Sequence, residues 1–211
     1  MGRLSASAAE LDAVTIDAYG TLVTLVDPVP ELAAELEERG VVRDRDTLVA
    51  AFHAEAAYYG KHSGEGHDED GLARLQRDCA QVFLTAANAE LDAAEFGPVY
   101  AGAMRFEVLP GVVDALERLR SLGLELAVVG NWDLTLARHL SEIGLARYFR
   151  AVVHAAGKPA PDGLLRALGE LGVDPARALH VGDDDADERA ARAAGAHFAP
   201  APLPDAVASL A

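Results

Sequence analysis

The chain has 211 residues, 51% of them hydrophobic, enough for one large domain or a domain with an inserted module. Acids outnumber bases 34 to 18, and a formal charge of −16 argues against nucleic acid and anionic membrane as partners. Cys79 is the single cysteine, so no intrachain disulfide forms; with no signal-peptide pattern at the amino end and no run of about 18 apolar residues, the expected compartment is the cytoplasm.

An apolar run over residues 13–17 leads into Asp17-Ala18-Tyr19-Gly20-Thr21, which reads as a buried strand with a carboxylate at its mouth, then a glycine turn and a hydroxyl. A carboxylate so placed either presents a nucleophile or caps a turn. From 28 to 107 no strand pattern follows. Apolar spacing is helical over 32–36, 48–59, 72–84 and 96–104, and the Gly-, His- and acid-rich stretch 60–71 reads as a mobile loop. Residues 28–107 are therefore expected to be a helical module inserted into a main domain of residues 1–27 and 108–211, re-entered at Pro110-Gly111.

The main domain then alternates. A helix over 112–122 precedes a strand over 124–130, and a helix over 134–143 precedes a strand over 151–154. A helix over 163–171 precedes a strand over 178–182; a helix over 187–194 and a weaker strand over 196–199 close the series. This order predicts right-handed βαβ units, hence an α/β fold: a doubly wound, Rossmann-like parallel sheet with an inserted helical module. In such sheets ligands bind beyond the carboxyl ends of the strands.

Polar residues follow each of those ends. After residues 124–130 come Gly130-Asn131-Trp132-Asp133, after 151–154 come Gly157-Lys158-Pro159-Ala160-Pro161, and after 178–182 come Asp183-Asp184-Asp185-Ala186-Asp187. A lysine in that position can neutralise a nucleophile and an incoming anion. Clustered carboxylates at a strand end repel one another unless a cation offsets them, and hard oxygen donors favour Mg²⁺; an acidic helix start stabilised by the helix dipole explains Asp185 and Asp184 equally well, but not Asp183. Trp132 either lines a pocket or packs the helix start. His53, His62 and His67 read as a solvated loop and its flank, Arg43 and Arg45 as solvated surface, His180 as a satisfied core histidine and Cys79 as a small hydrophobe.

Taken together, Asp17-Ala18-Tyr19-Gly20-Thr21, the Gly130 turn, Lys158-Pro159-Ala160-Pro161 and Gly182-Asp183-Asp184-Asp185-Ala186-Asp187 resemble, in order and spacing, the four motifs of the haloacid dehalogenase-like (HAD) hydrolase superfamily. The inserted helices resemble its C1-type cap, and D-x-Y-G-T is similar to the form seen in 2-haloacid dehalogenases. The resemblance implies catalysis by Asp17 with Lys158, substrate contacts from Tyr19, Thr21, Gly130 and Asn131, and Mg²⁺ held by Asp17, the Tyr19 carbonyl, Asp183 and Asp187 or Asp184. It departs from the superfamily pattern at Tyr19, where phosphatases carry a general acid Asp, and at Gly130, where Ser or Thr is usual. Halide needs no proton to leave, which favours a dehalogenase; the carboxylates at 183–187 would repel a haloacid, which favours a phosphatase. The reading adopted is a Mg²⁺-dependent phosphatase acting on an anionic small molecule, as a monomer or homodimer. The alternatives are a 2-haloacid dehalogenase and a catalytically weak or inactive binding or regulatory protein.

Overall fold

The computed structural model describes residues 10–208 and Leu210. Residues 1–9, where the sequence lacks a signal-peptide pattern, lie outside the described residues. In chain order the elements are β1 (Ala13–Ile16), β2 (Val23–Leu25), α1 (Val29–Glu38), α2 (Arg45–His62), α3 (Glu69–Ala86), α4 (Ala93–Gly102), β3 (Phe106–Val108) and α5 (Val112–Ser121). They continue as β4 (Glu125–Val129), α6 (Leu136–Glu142), β5 (Ala151–Val153), α7 (Asp162–Leu171), β6 (Ala178–Gly182), α8 (Asp185–Ala194), β7 (His197–Pro200) and α9 (Leu203–Ala208). The chain divides into two compact units, Met1–Thr24 with Glu107–Ala211, and Leu25–Phe106.

The first unit is built on a five-stranded sheet in the order β5-β4-β1-β6-β7, every neighbouring pair parallel. Successive side chains of a strand point to opposite faces. Ala13, Ala127, Val129, Ala151 and Val153 accordingly share one buried cluster with Leu164, Leu168 and Leu171 of α7 and Ala190 and Ala191 of α8. The intervening Val14, Ile16, Leu126 and Val128 are equally buried and point the other way, where α5 and α9 pack on each other, α5 against β4 and α9 against β6 and β7. Helices on both faces make the sheet doubly wound, and burying both faces is why its strands read as continuous apolar runs. Among the described residues no helix is long and apolar enough to cross a membrane.

The second unit is helical. Leu32, Leu36, Leu48, Leu75, Phe83 and Phe96 form its core, with Phe83 stacked on Phe96 at 6.3 Å between ring centroids. Asp44, Asp68 and Asp92 each accept a main-chain N–H at the start of α2, α3 and α4. Such caps satisfy the unpaired donors of a first helical turn. One buried acid interrupts the apolar core: Glu55 is 5% exposed and accepts the Tyr100 hydroxyl at 2.7 Å.

Two details correct the sequence reading. Residues 60–71 are not one loop: α2 runs on to His62, a 3₁₀ turn covers Ser63–Gly66, and α3 starts at Glu69 behind its Asp68 cap. Gly71 packs so close to this turn that a Cβ there would lie 2.1 Å from the Glu65 carbonyl oxygen. Second, the short strands β2 and β3 pair with each other where the chain passes between the units. Three residues are too few to show the alternation that marks a strand.

Candidate active site

Because β1 lies between β4 and β6 in the sheet, the turns that follow these three strands emerge side by side. Asp17 directly follows β1, is buried, and donates its main-chain N–H to the Val181 carbonyl at 2.9 Å. Lys158 arrives from the loop after β5, with a side chain only 4% exposed. Its Nζ donates to Asp17 Oδ1 and to Asp187 Oδ1 at 2.5 Å. The β4 loop holds Lys158 in place: Asn131 Oδ1 accepts the Lys158 main-chain N–H and Asn131 Nδ2 donates to the Lys158 carbonyl, both at 2.9 Å.

Asp187 gathers the remaining contacts. Its Oδ1 also accepts His180 Nε2 at 3.0 Å, and its Oδ2 accepts the main-chain N–H groups of Asp183 at 3.2 Å and Asp184 at 3.4 Å. Two glycines make this packing possible. A Cβ at Gly182 would lie 2.2 Å from Asp187 Cγ, and one at Gly20 2.2 Å from Asp183 Oδ2. Gly20 also has φ +78°, a conformation that side-chain-bearing residues resist.

Burial pushes the Asp17 carboxyl up to about 7, against the Lys158 ammonium, which pulls it down. Burial pushes on Asp187 as well, but the His180 hydrogen bond and the Lys158 charge outweigh it and hold that carboxyl below its ordinary range. Lys158 would be lowered by burial; its two carboxylate partners outweigh that and hold it above its ordinary value. Asp183 is raised, by burial first and by Asp187 second.

Ligand atoms of Asp17, Asp183 and Asp187 lie within 4.8 Å of one another. Three carboxylates and one ammonium give this cluster a formal charge of −2 when all are ionised. Hard oxygen donors and that charge fit a divalent cation of the Mg²⁺ kind. Among the described residues, no other group of three or more His, Cys, Asp or Glu side chains is gathered this way.

The structure thus brings Asp17, Lys158, Asp183 and Asp187 together and gives the other expected residues different parts. Asp187, expected as a metal ligand, stands in that cluster, and its carboxylate also accepts Lys158 Nζ, His180 Nε2 and the main-chain N–H groups of Asp183 and Asp184. Asp184 lies outside the cluster, because its carboxylate caps α8 by accepting the Asp187 main-chain N–H at 2.9 Å. The Gly130 N–H, expected to face a substrate, donates instead to the Val153 carbonyl at 3.0 Å, since the ladder with β5 runs past the strand end. Asn131 binds the main chain of Lys158. Thr21 is sealed at 1% exposure, and its hydroxyl has no hydrogen-bond partner among the described residues. Tyr19 is open to solvent, 53% exposed.

Of the lesser candidates, Trp132 packs the start of α6: its Nε1 donates to Thr135 Oγ1 at 3.3 Å and its ring meets His139. Arg43 donates to the carbonyls of Ala87 and Asn88, and Arg45 pairs with Asp27. His62 and His67 pair with Glu65 and Asp68. Sequence reasoning missed the link between His180 and this site. The available signal was one polar residue in the otherwise apolar Ala178-Leu179-His180-Val181-Gly182, seven positions before Asp187.

The family profile of haloacid dehalogenase-like hydrolases matches residues 11–195. Phosphoglycolate phosphatase 1 of Pseudomonas aeruginosa is 31% identical over 196 residues, which cover 83% of this chain and 65% of that protein, so the chain spans just under two thirds of this relative's length. Haloacid dehalogenase-like hydrolase domain-containing protein 3 of Bos taurus is 32% identical, covering 94% of this chain and 86% of its own. Among solved structures, the L-2-haloacid dehalogenase of Xanthobacter autotrophicus with chloropropionic acid covalently bound superimposes with a TM-score of 0.65 at 23% identity, covering 90% of this chain and 77% of its own, a likeness of fold.

Proposed function

Because the chain belongs to the haloacid dehalogenase-like hydrolase family, we propose that it is a Mg²⁺-dependent phosphatase acting on small phosphorylated metabolites, with Asp17 as nucleophile. The observation that carries this reading is the gathering of Asp17, Asp183 and Asp187 around the buried Lys158 ammonium. The formal charge of −2 of the ionised cluster favours a divalent cation, and it would repel a haloacid carboxylate that came without one.

In this mechanism an Asp17 carboxylate oxygen attacks phosphorus. The Asp17–phosphorus ester forms as the bond from phosphorus to the leaving oxygen breaks. That oxygen takes its proton from solvent, because Tyr19 stands where related phosphatases carry the general acid. Water then attacks phosphorus, inorganic phosphate departs, and the Asp17 carboxylate is restored. Lys158 lowers the electrostatic cost of bringing Asp17 against an anionic substrate. Asp17 and Asp183 would hold Mg²⁺, which supplies positive charge against the phosphoryl oxygens. The inserted helical unit is read as the substrate-selecting cap.

Phosphoglycolate, named for the Pseudomonas aeruginosa relative, is the first substrate to try, beside acetyl phosphate and p-nitrophenyl phosphate. Metal-dependent phosphate release abolished by Asp17→Asn is the expected result. No release above that control, together with halide release from 2-chloropropionate, would replace the phosphatase by a dehalogenase; neither product would leave a binding protein.

A further inference from the structure

His180 lies in the middle of β6 and is fully buried. It stands in register with Thr15 of β1, two residues before Asp17. The sheet face it shares is otherwise lined by small apolar residues such as Ala13, Ala127 and Ala178. A polar ring there carries a desolvation cost that only paired nitrogens offset. Both are paired. Asp187 is an ionised acceptor, so His180 Nε2 carries the hydrogen and donates to Asp187 Oδ1 at 3.0 Å. In that tautomer Nδ1 accepts the Thr15 hydroxyl at 2.9 Å, with the Thr15 carbonyl oxygen 3.2 Å from the same nitrogen.

The far end of this chain of bonds is the site. The same Asp187 Oδ1 that accepts His180 also accepts Lys158 Nζ, and Asp187 Oδ2 holds the main-chain N–H of Asp183. Rotation of the Asp187 carboxylate would therefore move the partner of Lys158 and release the backbone that carries Asp183. Gly182 leaves the carboxylate backed directly against the strand, and the His180 ring shares with Lys158 Nζ the oxygen whose position fixes its rotation.

We infer that His180, oriented by Thr15, is a positioning residue that fixes the Asp187 carboxylate and through it both Lys158 and the cation-binding Asp183. The inference deepens the phosphatase reading and rests on it for the identity of the cation. Residues that orient the groups around a metal cost ten- to a hundredfold in metal affinity or activity when removed.

The test compares His180→Leu, His180→Gln and Thr15→Val with the parent protein, using calorimetric Mg²⁺ titration, phosphate-release kinetics and thermal melting. Leucine keeps the volume and removes the donor; glutamine places an amide nitrogen close to Nε2. His180→Leu should weaken Mg²⁺ binding about tenfold or more and lower kcat by about 10–100-fold with KM little changed. His180→Gln should restore most of both, and Thr15→Val should move both in the same direction by less. A merely structural histidine would alter the melting temperature and leave Mg²⁺ affinity alone. Parent-like Mg²⁺ binding in His180→Leu, or no rescue by glutamine, overturns the inference. Should His180→Leu fail to fold, Thr15→Val decides: unchanged Mg²⁺ affinity overturns the inference. The Mg²⁺ titration answers without turnover, so an inactive parent would sink the phosphatase reading and leave this test standing.

Discussion

Replacing Lys158 by methionine removes the one cation between two buried carboxylates. The side chains of Lys158, Asp17 and Asp187 are 4%, 10% and 2% exposed, so solvent screens little. The carboxylate oxygens lie within 4.8 Å of one another. At an effective dielectric of about 20, two unit charges at that separation repel by about 3.5 kcal/mol. This agrees with the roughly 3–5 kcal/mol measured when one partner of a buried ion pair is removed. The cost must depend on pH. Asp17 already titrates near 7 in the folded protein, above its ordinary 3.8, and a folded value above the unfolded one means stability is lost as pH rises through the folded pKa. Without Lys158 the folded value rises further. Lys158→Met should therefore lose about 3–4 kcal/mol at pH 8 in chelator, and less than half of that near pH 5, where Asp17 holds its proton. Saturating Mg²⁺ should narrow the gap by restoring a counter-charge. Urea denaturation of both proteins at the two pH values measures it. A cost below about 1 kcal/mol at pH 8, or a gap that does not change with pH, would refute the claim that the two carboxylates depend on one shared ammonium.

Tyr19→Asp should raise turnover of alkyl phosphates by about 10²–10⁴ and barely change aryl phosphates, whose leaving groups need no proton; equal gains on both series would show that leaving-group protonation is not what the site lacks. Asn131→Ala removes both bonds to the main chain of Lys158, so it should cost about 1–3 kcal/mol of stability and lower kcat more than it raises KM, measured by denaturation and steady-state kinetics. In the helical unit, burial raises the Glu55 carboxyl against the opposing Tyr100 hydrogen bond. Its stabilising contribution is present below the unfolded value and lost as pH rises through the folded one. Glu55→Gln should accordingly show a flatter melting temperature against pH and gain on the parent towards alkaline pH; parallel profiles would mean that Glu55 does not titrate with folding.

The order of elements in the sheet domain was written in the chain. Apolar runs as short as Ala13–Ile16 and Ala178–Gly182 declare buried parallel strands, and a polar residue directly after each declares the functional edge. Asp17, Lys158, Asp183 and Asp187 were legible for that reason: chemistry at a strand end stands out against an apolar run. The fates of Gly130 and Asn131 were not legible, whereas the place of Asp184 at a helix start was one of the two readings the sequence offered. Whether an amide or a carboxamide faces a ligand depends on which neighbour has already taken its hydrogen bond, and those neighbours come from distant parts of the chain: Val153 of β5 for Gly130 and the main chain of Lys158, in the loop after β5, for Asn131. His180 shows the same division. Its sequence says only that a polar ring sits in a buried strand; the register of β6 on β1 brings Thr15 to one nitrogen, and the first turn of α8 brings Asp187 to the other. Sequence determined which groups stand at the sheet edge, because burial and periodicity are local properties of the chain. Tertiary structure decided which of them remain open to chemistry, because hydrogen-bond satisfaction is settled between segments far apart in sequence.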